Sequence, residues 1–450
     1  MHDQDHELVA LALQVAHEAL TSVTPLASPA PAAEIYAGLE GTITDGGIGN
    51  AAAIGVLRDV IAANCMNVSS PNVWAFIPSA ATPASLVADV ILSSMNVIGD
   101  WWLEGAGAIA AENNALAWLC DEAGLGEHAG GVFVSGATPG NLAALAAARR
   151  WWRSEHPGHA RDRLAIACPQ QAHSSIRMVA SVLDCDVVIV DGDEFGRLHA
   201  ADLEKALAAH RAADGAPVFA ISATAGTTNL GMVDDLTGLA DVAEREGLWL
   251  HVDGAYGGAA ILSPLGRPAL AGLDRVQSMV VDPHKWLFAG YDCCALLYRD
   301  VRIARAAFTQ TAEYLDAVEV SAEEWNPSDY AVHLTRRARG VPFWFSLAVH
   351  GVDAYRTAVT TCIETARAFT AAIDDAPHVE VFAPTTLSIV TFVRPGWVRA
   401  DYERWSNAHL EAGDFFIAVS EFRGNPLLRV CIVNPQTTVT QLRAVLDTLR

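Results

Sequence analysis

A chain of 450 residues, 52% hydrophobic and only 18% charged, is long enough for two or three domains around a substantial core and too apolar for disorder. Its formal net charge of −23 argues against nucleic acid or an anionic membrane as a partner. The eight cysteines form no C-x-x-C pair and Cys293 and Cys294 are adjacent, so neither a structural zinc site nor a usual disulfide is expected, and no metal.

The start, MHDQDHELVA, has no basic n-region, so no secretory signal is expected, and thiols in a reducing cytoplasm are the simplest account of the cysteines. Residues 6–22 and 51–66 read as helices on either side of a Pro/Ala/Gly-rich passage. The segment SSPNVWAFIPSAATPAS (69–85) is irregular, aromatic and neutral, a composition that lines pockets or interfaces. From 131 the pattern alternates: strand GVFVS, turn GAT and helix PGNLAALAAARRWW, with Thr138 as N-cap and Pro139 at the first helical position. Strands LAIACP, DVVIVD, VFAISA, LWLHVD and SMVVD follow, the first four of them each followed or preceded by a helical pattern. Repeated β–α units with strands apolar on both sides predict a mainly parallel sheet covered by helices on both faces. CCALLYR lies too close behind SMVVD for a helical crossover and is expected to join antiparallel or at an edge. A long helix over 343–374 then leads into hairpin-like strands and a last helix from Thr438. The expected organisation is an N-terminal helical segment over 1–80, a large domain over 81–342 and a small C-terminal α+β domain over 343–450.

Four features carry chemistry. SGATPGN (135–141) places small residues at the mouth of a helix, where backbone N–H groups and the helix dipole attract anions; such turns are also common without a ligand. LWLHVDGAYGG (248–258) ends a strand on Asp253, at the edge where parallel sheets bind ligands, although a turn aspartate looks the same. QAHSSIRMV (171–179) puts His173 at that edge, and a lone histidine is more often structural. DPHKWLF (282–288) delivers Lys285 among aromatic residues. A lysine so placed ordinarily snorkels, but burial would lower its pKa and leave a nucleophilic amine. Together these residues are the parts of a pyridoxal phosphate site: an amine to bond the aldehyde, a carboxylate for the pyridine nitrogen and a nest for the phosphate.

HVDGAYGG and DPHKW resemble HVDAAYAG and NPHKW of the pyridoxal-phosphate-dependent group II amino acid decarboxylases, which include aromatic-L-amino-acid and glutamate decarboxylases. TAGTTNLGMVDDL (224–236), QAHSS and SGATPGN fit the same family, and the similarity runs from about 69 to the C-terminus. The resemblance implies fold type I of the pyridoxal phosphate enzymes, with a seven-stranded, mainly parallel sheet, and a homodimer with a shared active site, residues 96–104 coming from the partner and the 1–80 segment serving dimerisation. It also implies roles. Lys285 would bond the cofactor, Asp253 would pair with its ring nitrogen, and His173 and Ala255 would pack on its two faces. Ala137 and Thr138 would bind phosphate, with Thr228 and Asp282 beside the cofactor and His284 between the lysine and the substrate carboxylate. Arg429 resembles the arginine that holds a substrate carboxylate in glutamate decarboxylases. Asp282 stands where the family usually has Asn, Pro139 and Gly140 where it has Glu-Ala, and 310–335 is shorter than the family's loop with a catalytic tyrosine. Tyr330 is the first candidate for that tyrosine and Tyr314 the second.

The expected reaction is loss of CO2 from an L-amino acid. Trp74, Phe76, Ile77, Pro78 and Ser79 match a segment that lines the pocket of aromatic decarboxylases, which favours an aromatic side chain. Asp100, beside Trp101 and Trp102, falls where those enzymes carry an apolar aromatic residue, and would select a cationic or hydroxylated side chain or cap a helix. The alternatives are a decarboxylase of a non-aromatic amino acid or another pyridoxal phosphate enzyme: an aminotransferase, a lyase or an aldehyde synthase.

Overall fold

The computed structural model describes residues 5–22, 25–309 and 324–450. The large sheet is built from β1 (Gly130–Val134), β2 (Ala165–Pro169), β3 (Asp186–Val190), β4 (Val218–Thr224), β5 (Trp249–Asp253), β6 (Ser278–Val281) and β7 (Cys294–Tyr298) in the order β1-β7-β6-β5-β4-β2-β3. From β6 to β3 every pairing is parallel, while β7 runs antiparallel to both neighbours. β2, β5, β6 and β7 are buried at every position, as strands covered by helices on both faces must be. β7 is antiparallel as expected but lies inside the sheet, because β1 occupies its far side. A second, antiparallel sheet holds β8 (Glu380–Val381), β9 (Ile389–Val393), β10 (Ala418–Phe422) and β11 (Asn425–Cys431) in the order β10-β11-β9-β8.

Two helical expectations change. The single long helix over 343–374 is two helices, Val341–His350 and Val352–Asp374. Gly351, at φ +75°, turns the chain between them in a conformation that L side chains avoid. The helix expected to begin at Pro139 starts at Ala137 with Gly136 as its N-cap, so Thr138 is helical and does not cap. Gly140 lets this helix press onto the sheet: a Cβ there would meet Cγ1 of Val280 at 2.7 Å.

One buried ion pair ties the large domain together. Arg336 and Glu112 are 1% and 2% exposed and meet in a two-pronged contact at 2.7 Å. Glu112 also accepts the Gly340 N–H at 2.7 Å, and Arg336 donates to the Gly99 carbonyl at 2.6 Å. No described helix is long and apolar enough to cross a membrane.

Candidate active site

The carboxyl ends of the parallel strands open on a cavity of about 310 Å3, walled by Ala137, Thr138, His173, Thr228, Asp253 and Ala255 together with Asp282, His284 and Lys285. Asp253 and Lys285 thus face one space, as the sequence required. β5 ends on Asp253, and β6 runs directly into the turn Pro283–Trp286 that carries the lysine.

Lys285 is held by its neighbour. Its Nζ lies 2.8 Å from Oδ2 of Asp282, a carboxylate that is 2% exposed. Burial works to lower the lysine's pKa, but the charge and hydrogen bond of Asp282, with Asp253 behind, outweigh it and leave the amine above the usual lysine value. The sequence-based expectation of a lowered pKa is therefore reversed. An aspartate three residues away stabilises the ammonium more than the apolar surroundings penalise it.

Behind Asp253 runs a hydrogen-bond chain whose direction is set by its end. Trp249 Nε1 can only donate, and does so to Ser278 Oγ at 2.8 Å. Ser278 then donates to His251 Nδ1 at 2.8 Å, and His251 Nε2 donates to Asn141 Oδ1 at 2.9 Å. The Asn141 amide gives its two protons to Asp253 Oδ2 at 3.0 Å and to Ser175 Oγ at 3.1 Å. Ser175 closes the chain on His173 Nδ1, through its hydroxyl at 2.9 Å and its N–H at 3.2 Å. The Ala255 N–H reaches the other Asp253 oxygen at 3.2 Å. Burial pushes His251 down to about 4, so its ring is neutral and can both accept and donate. Asn141, Ser175, His251 and Ser278 were missed in the sequence; all four lie in the stretches SGATPGN, QAHSS, LWLHVD and SMVVD, but only the tertiary fold shows that they join.

The anion nest is open. The helix that starts at Ala137 has no side-chain cap, so its first-turn N–H groups remain available at the cavity wall. Gly226 lies opposite at φ +95°, where a Cβ would come within 2.7 Å of the Tyr256 ring.

Other candidates are placed differently. Of the segment 74–79, Ile77 lines the cavity. Trp74 is a core residue, 1% exposed, with its indole N–H on Thr437 Oγ1 at 3.2 Å. Phe76 is 66% exposed, and the buried Pro78 and Ser79 support the wall, Ser79 donating to the Ala289 carbonyl at 2.8 Å. An apolar run does not reveal which of its residues face inward. Arg429 is buried behind the wall; it donates from Nε to the Thr228 carbonyl at 2.6 Å and from Nη1 to the Phe76 carbonyl. Asp100 is 3% exposed and, like Trp101, is not among the cavity residues; burial raises its pKa. Tyr330 is not in the cavity either. Its ring stacks on Trp325 at 3.9 Å and burial pushes its phenol up to about 12. Tyr314 lies outside the described residues. Tyr291, unnoticed in the sequence, lines the cavity beside His284, with ring centroids 5.1 Å apart.

An amine, a carboxylate held by N–H donors, an imidazole and an uncapped helix end around one cavity fit pyridoxal phosphate group for group, and define an enzyme of that cofactor class. Residues 50–394 match the family described as the pyridoxal-dependent decarboxylase conserved domain. An aromatic-L-amino-acid decarboxylase of Bacillus atrophaeus is 33% identical over 391 residues, covering 84% of this chain and 80% of the relative. An L-2,4-diaminobutyrate decarboxylase of Rhizobium meliloti is 30% identical over 429 residues, covering 92% and 85%. The solved structure of Oryza sativa TDC with PLP and tryptamine superimposes with a TM-score of 0.89 at 25% identity, covering 100% of this chain and 98% of that one. The chain belongs to the pyridoxal-dependent decarboxylase family. It is a pyridoxal-phosphate-dependent amino acid decarboxylase.

Proposed function

We propose that the enzyme removes CO2 from an aromatic L-amino acid and works as a homodimer. The observation that carries the chemistry is the convergence of Lys285, Asp253 and the open helix end on one cavity. When bound, pyridoxal phosphate supplies a carbonyl carbon for the amine and an electron-withdrawing ring that accepts the electrons left by departing CO2. The chain supplies the rest. Lys285 would bond the cofactor and release the amine product. Asp253, oriented by Asn141 and Ala255, would hold a proton on the ring nitrogen. His173 and Ala255 would wall the ring slot. The amides of Ala137 and Thr138 would take the phosphate, and Thr228 and Asp282 would close the sides. His284, whose Nδ1 lies 2.7 Å from the Cys293 carbonyl and donates to it, would present its other nitrogen towards the substrate carboxylate.

The α-carbon needs an acid. With Tyr330 walled into the core, we assign that role to Tyr314. The aromatic preference is supported by Ile77 and Tyr291 in the wall and by the likeness to the Bacillus atrophaeus enzyme. The diaminobutyrate decarboxylase is nearly as similar, so a cationic substrate is the competing reading, and Asp100, if lent across the dimer from the 96–104 segment, would be its selector. The case for the dimer rests on the N-terminal helices His6–Thr21, Ala32–Leu39 and Asn50–Val56, none of which buries a residue within the chain. Purified protein incubated with a panel of L-amino acids, with CO2 and products followed by mass spectrometry, tests the substrate. Amine from tyrosine, tryptophan, phenylalanine or DOPA is expected. Amine from 2,4-diaminobutyrate alone would transfer the assignment to the cationic class, and aldehyde or keto acid would remove the decarboxylase mechanism.

A further inference from the structure

We propose that Asp282 is a dedicated counter-ion that holds Lys285 as an ammonium whenever the lysine is not joined to its cofactor, which makes cofactor capture a proton-releasing step that is slow in acid. This rests on the reading of Lys285 as the cofactor-bonding residue and concerns a position where the chain departs from the Asn of the family it resembles.

Three observations carry it. First, the pair is built by the backbone: the Asp282 N–H is fixed on the Ala255 carbonyl at 3.0 Å, and the Lys285 N–H returns to the Asp282 carbonyl at 2.9 Å, so the two side chains leave the same turn and meet at 2.8 Å. Second, among the described residues Asp282 has no other cation in contact. It is 2% exposed, His284 Nε2 stands off at 3.6 Å, and the neutral Cys294 thiol lends it a hydrogen bond but no charge. A buried carboxylate so placed is held most favourably while a charge sits against it. Third, the two other aspartates that line the cavity have their own partners, Asp292 in Arg339 and Asp253 in Asn141 and Ala255, so Asp282 alone is left to Lys285. An asparagine in its place would be neutral and could not hold the proton.

The remaining titratable neighbours leave this pairing intact. Asp253 on β5 is engaged by Asn141 and Ala255. Burial holds the Cys294 thiol on β7 far above its usual value and raises the Tyr291 phenol. His284 is tied through Nδ1 to the Cys293 backbone, and His173 to Ser175.

The covalent step balances simply. The ammonium of Lys285 first loses one proton, which leaves by way of the carboxylate to solvent. The free amine attacks the aldehyde carbon, a C=N bond replaces the C=O bond, and the oxygen departs as water with the two protons of the amine. No oxidant or reductant takes part. The amine must lose the first proton before it can attack, and Asp282 opposes that loss.

The chain has just two lysines, Lys205 and Lys285, which makes the test clean. Cofactor-free protein labelled with 13C-lysine shows two ε-carbon signals, assigned with a Lys205→Arg variant, and each is titrated with pH. Lys285 is expected to titrate above the exposed Lys205, and in Asp282→Asn to fall by a unit or more. In stopped-flow capture of pyridoxal phosphate, Asp282→Asn is then expected to be about tenfold faster than wild type near pH 7, the factor that one pKa unit represents. A Lys285 signal at or below Lys205 in the wild-type protein overturns the proposal without recourse to any variant, as do superimposable capture profiles. Failure of both proteins to capture cofactor at Lys285 would instead strike the underlying site assignment, which the titration of the cofactor-free protein does not depend on.

Discussion

Asn141, which closes the SGATPGN stretch but whose role that stretch did not reveal, is the junction of the hydrogen-bond chain. Its carbonyl accepts from a neutral histidine and its amide serves both Asp253 and Ser175. Asn141→Ala leaves the His251 N–H and one Asp253 oxygen unmatched in a buried setting, a loss on the order of 1–3 kcal/mol. Cofactor affinity is expected to weaken by about 5- to 150-fold, the ratio those energies represent, in equilibrium titrations at a temperature where the variant remains folded. Unchanged affinity would show that the chain is only packing. The two candidate tyrosines are expected to respond differently. Tyr330→Phe is expected to keep kcat within a few-fold, because its phenol is shut into a stack with Trp325, whereas Tyr314→Phe is expected to lose most amine formation, about 100-fold or more if it is the general acid. The reverse ranking in steady-state assays would restore the first candidate. What could be read at this scale was what lies in one stretch of chain. HVD and DPHKW give their residues in sequence, so Asp253, His284 and Lys285 were legible. The pairing that raises the pKa of Lys285 instead depends on which way Asp282 turns, and an apolar run gave no sign that Trp74 points into the core.

At the scale of elements, alternation of apolar strands and helices announced the parallel sheet because strands buried on both faces leave a continuous apolar run. It could not show β7 inserted between β1 and β6, since nothing in CCALLYR records a partner more than a hundred residues upstream. The break at Gly351 was likewise hidden within a continuous helical pattern. The helix Trp102–Ala123 is joined to the segment after Tyr330 by the Arg336–Glu112 pair. Glu112→Ala strands a buried guanidinium and is expected to cost about 3–5 kcal/mol. Replacing both partners with Leu and Met is expected to restore most of that loss, and denaturant unfolding of the single and double variants measures it. Equal losses in both would mean that packing, not charge, is what the pair supplies.

For the whole molecule, two histidines set a common acid limit. Burial pushes both His251 and His333 down to about 4, while in the unfolded chain each stays near 6.5. The unfolded chain therefore takes up protons between about pH 6.5 and 4 that the folded one refuses. Their contribution to stability is complete above that window and is lost as pH falls through it, at about 1.4 kcal/mol per unit for each group. Asp234, whose carboxyl burial pushes up to about 7, works the other way over the same range, so the slope of His333→Gln is compared with that of the wild-type protein. Unfolding free energies measured from pH 7 to 4.5 are expected to fall less steeply in His333→Gln than in wild type, and equal slopes would contradict the buried neutral state of His333. The proposed dimer is checked by sedimentation, which is expected to give twice the 47.8 kDa of the chain; the monomer mass at micromolar concentration would leave the N-terminal helices without the surface assigned to them.

The account as a whole depends on where the cofactor is attached. Borohydride reduction of the cofactor-loaded enzyme, followed by peptide mass mapping, decides between the only two lysines available. The pyridoxyl mass is predicted on the peptide containing Lys285 and nowhere else. Finding it on Lys205, or on neither, would contradict the site described above.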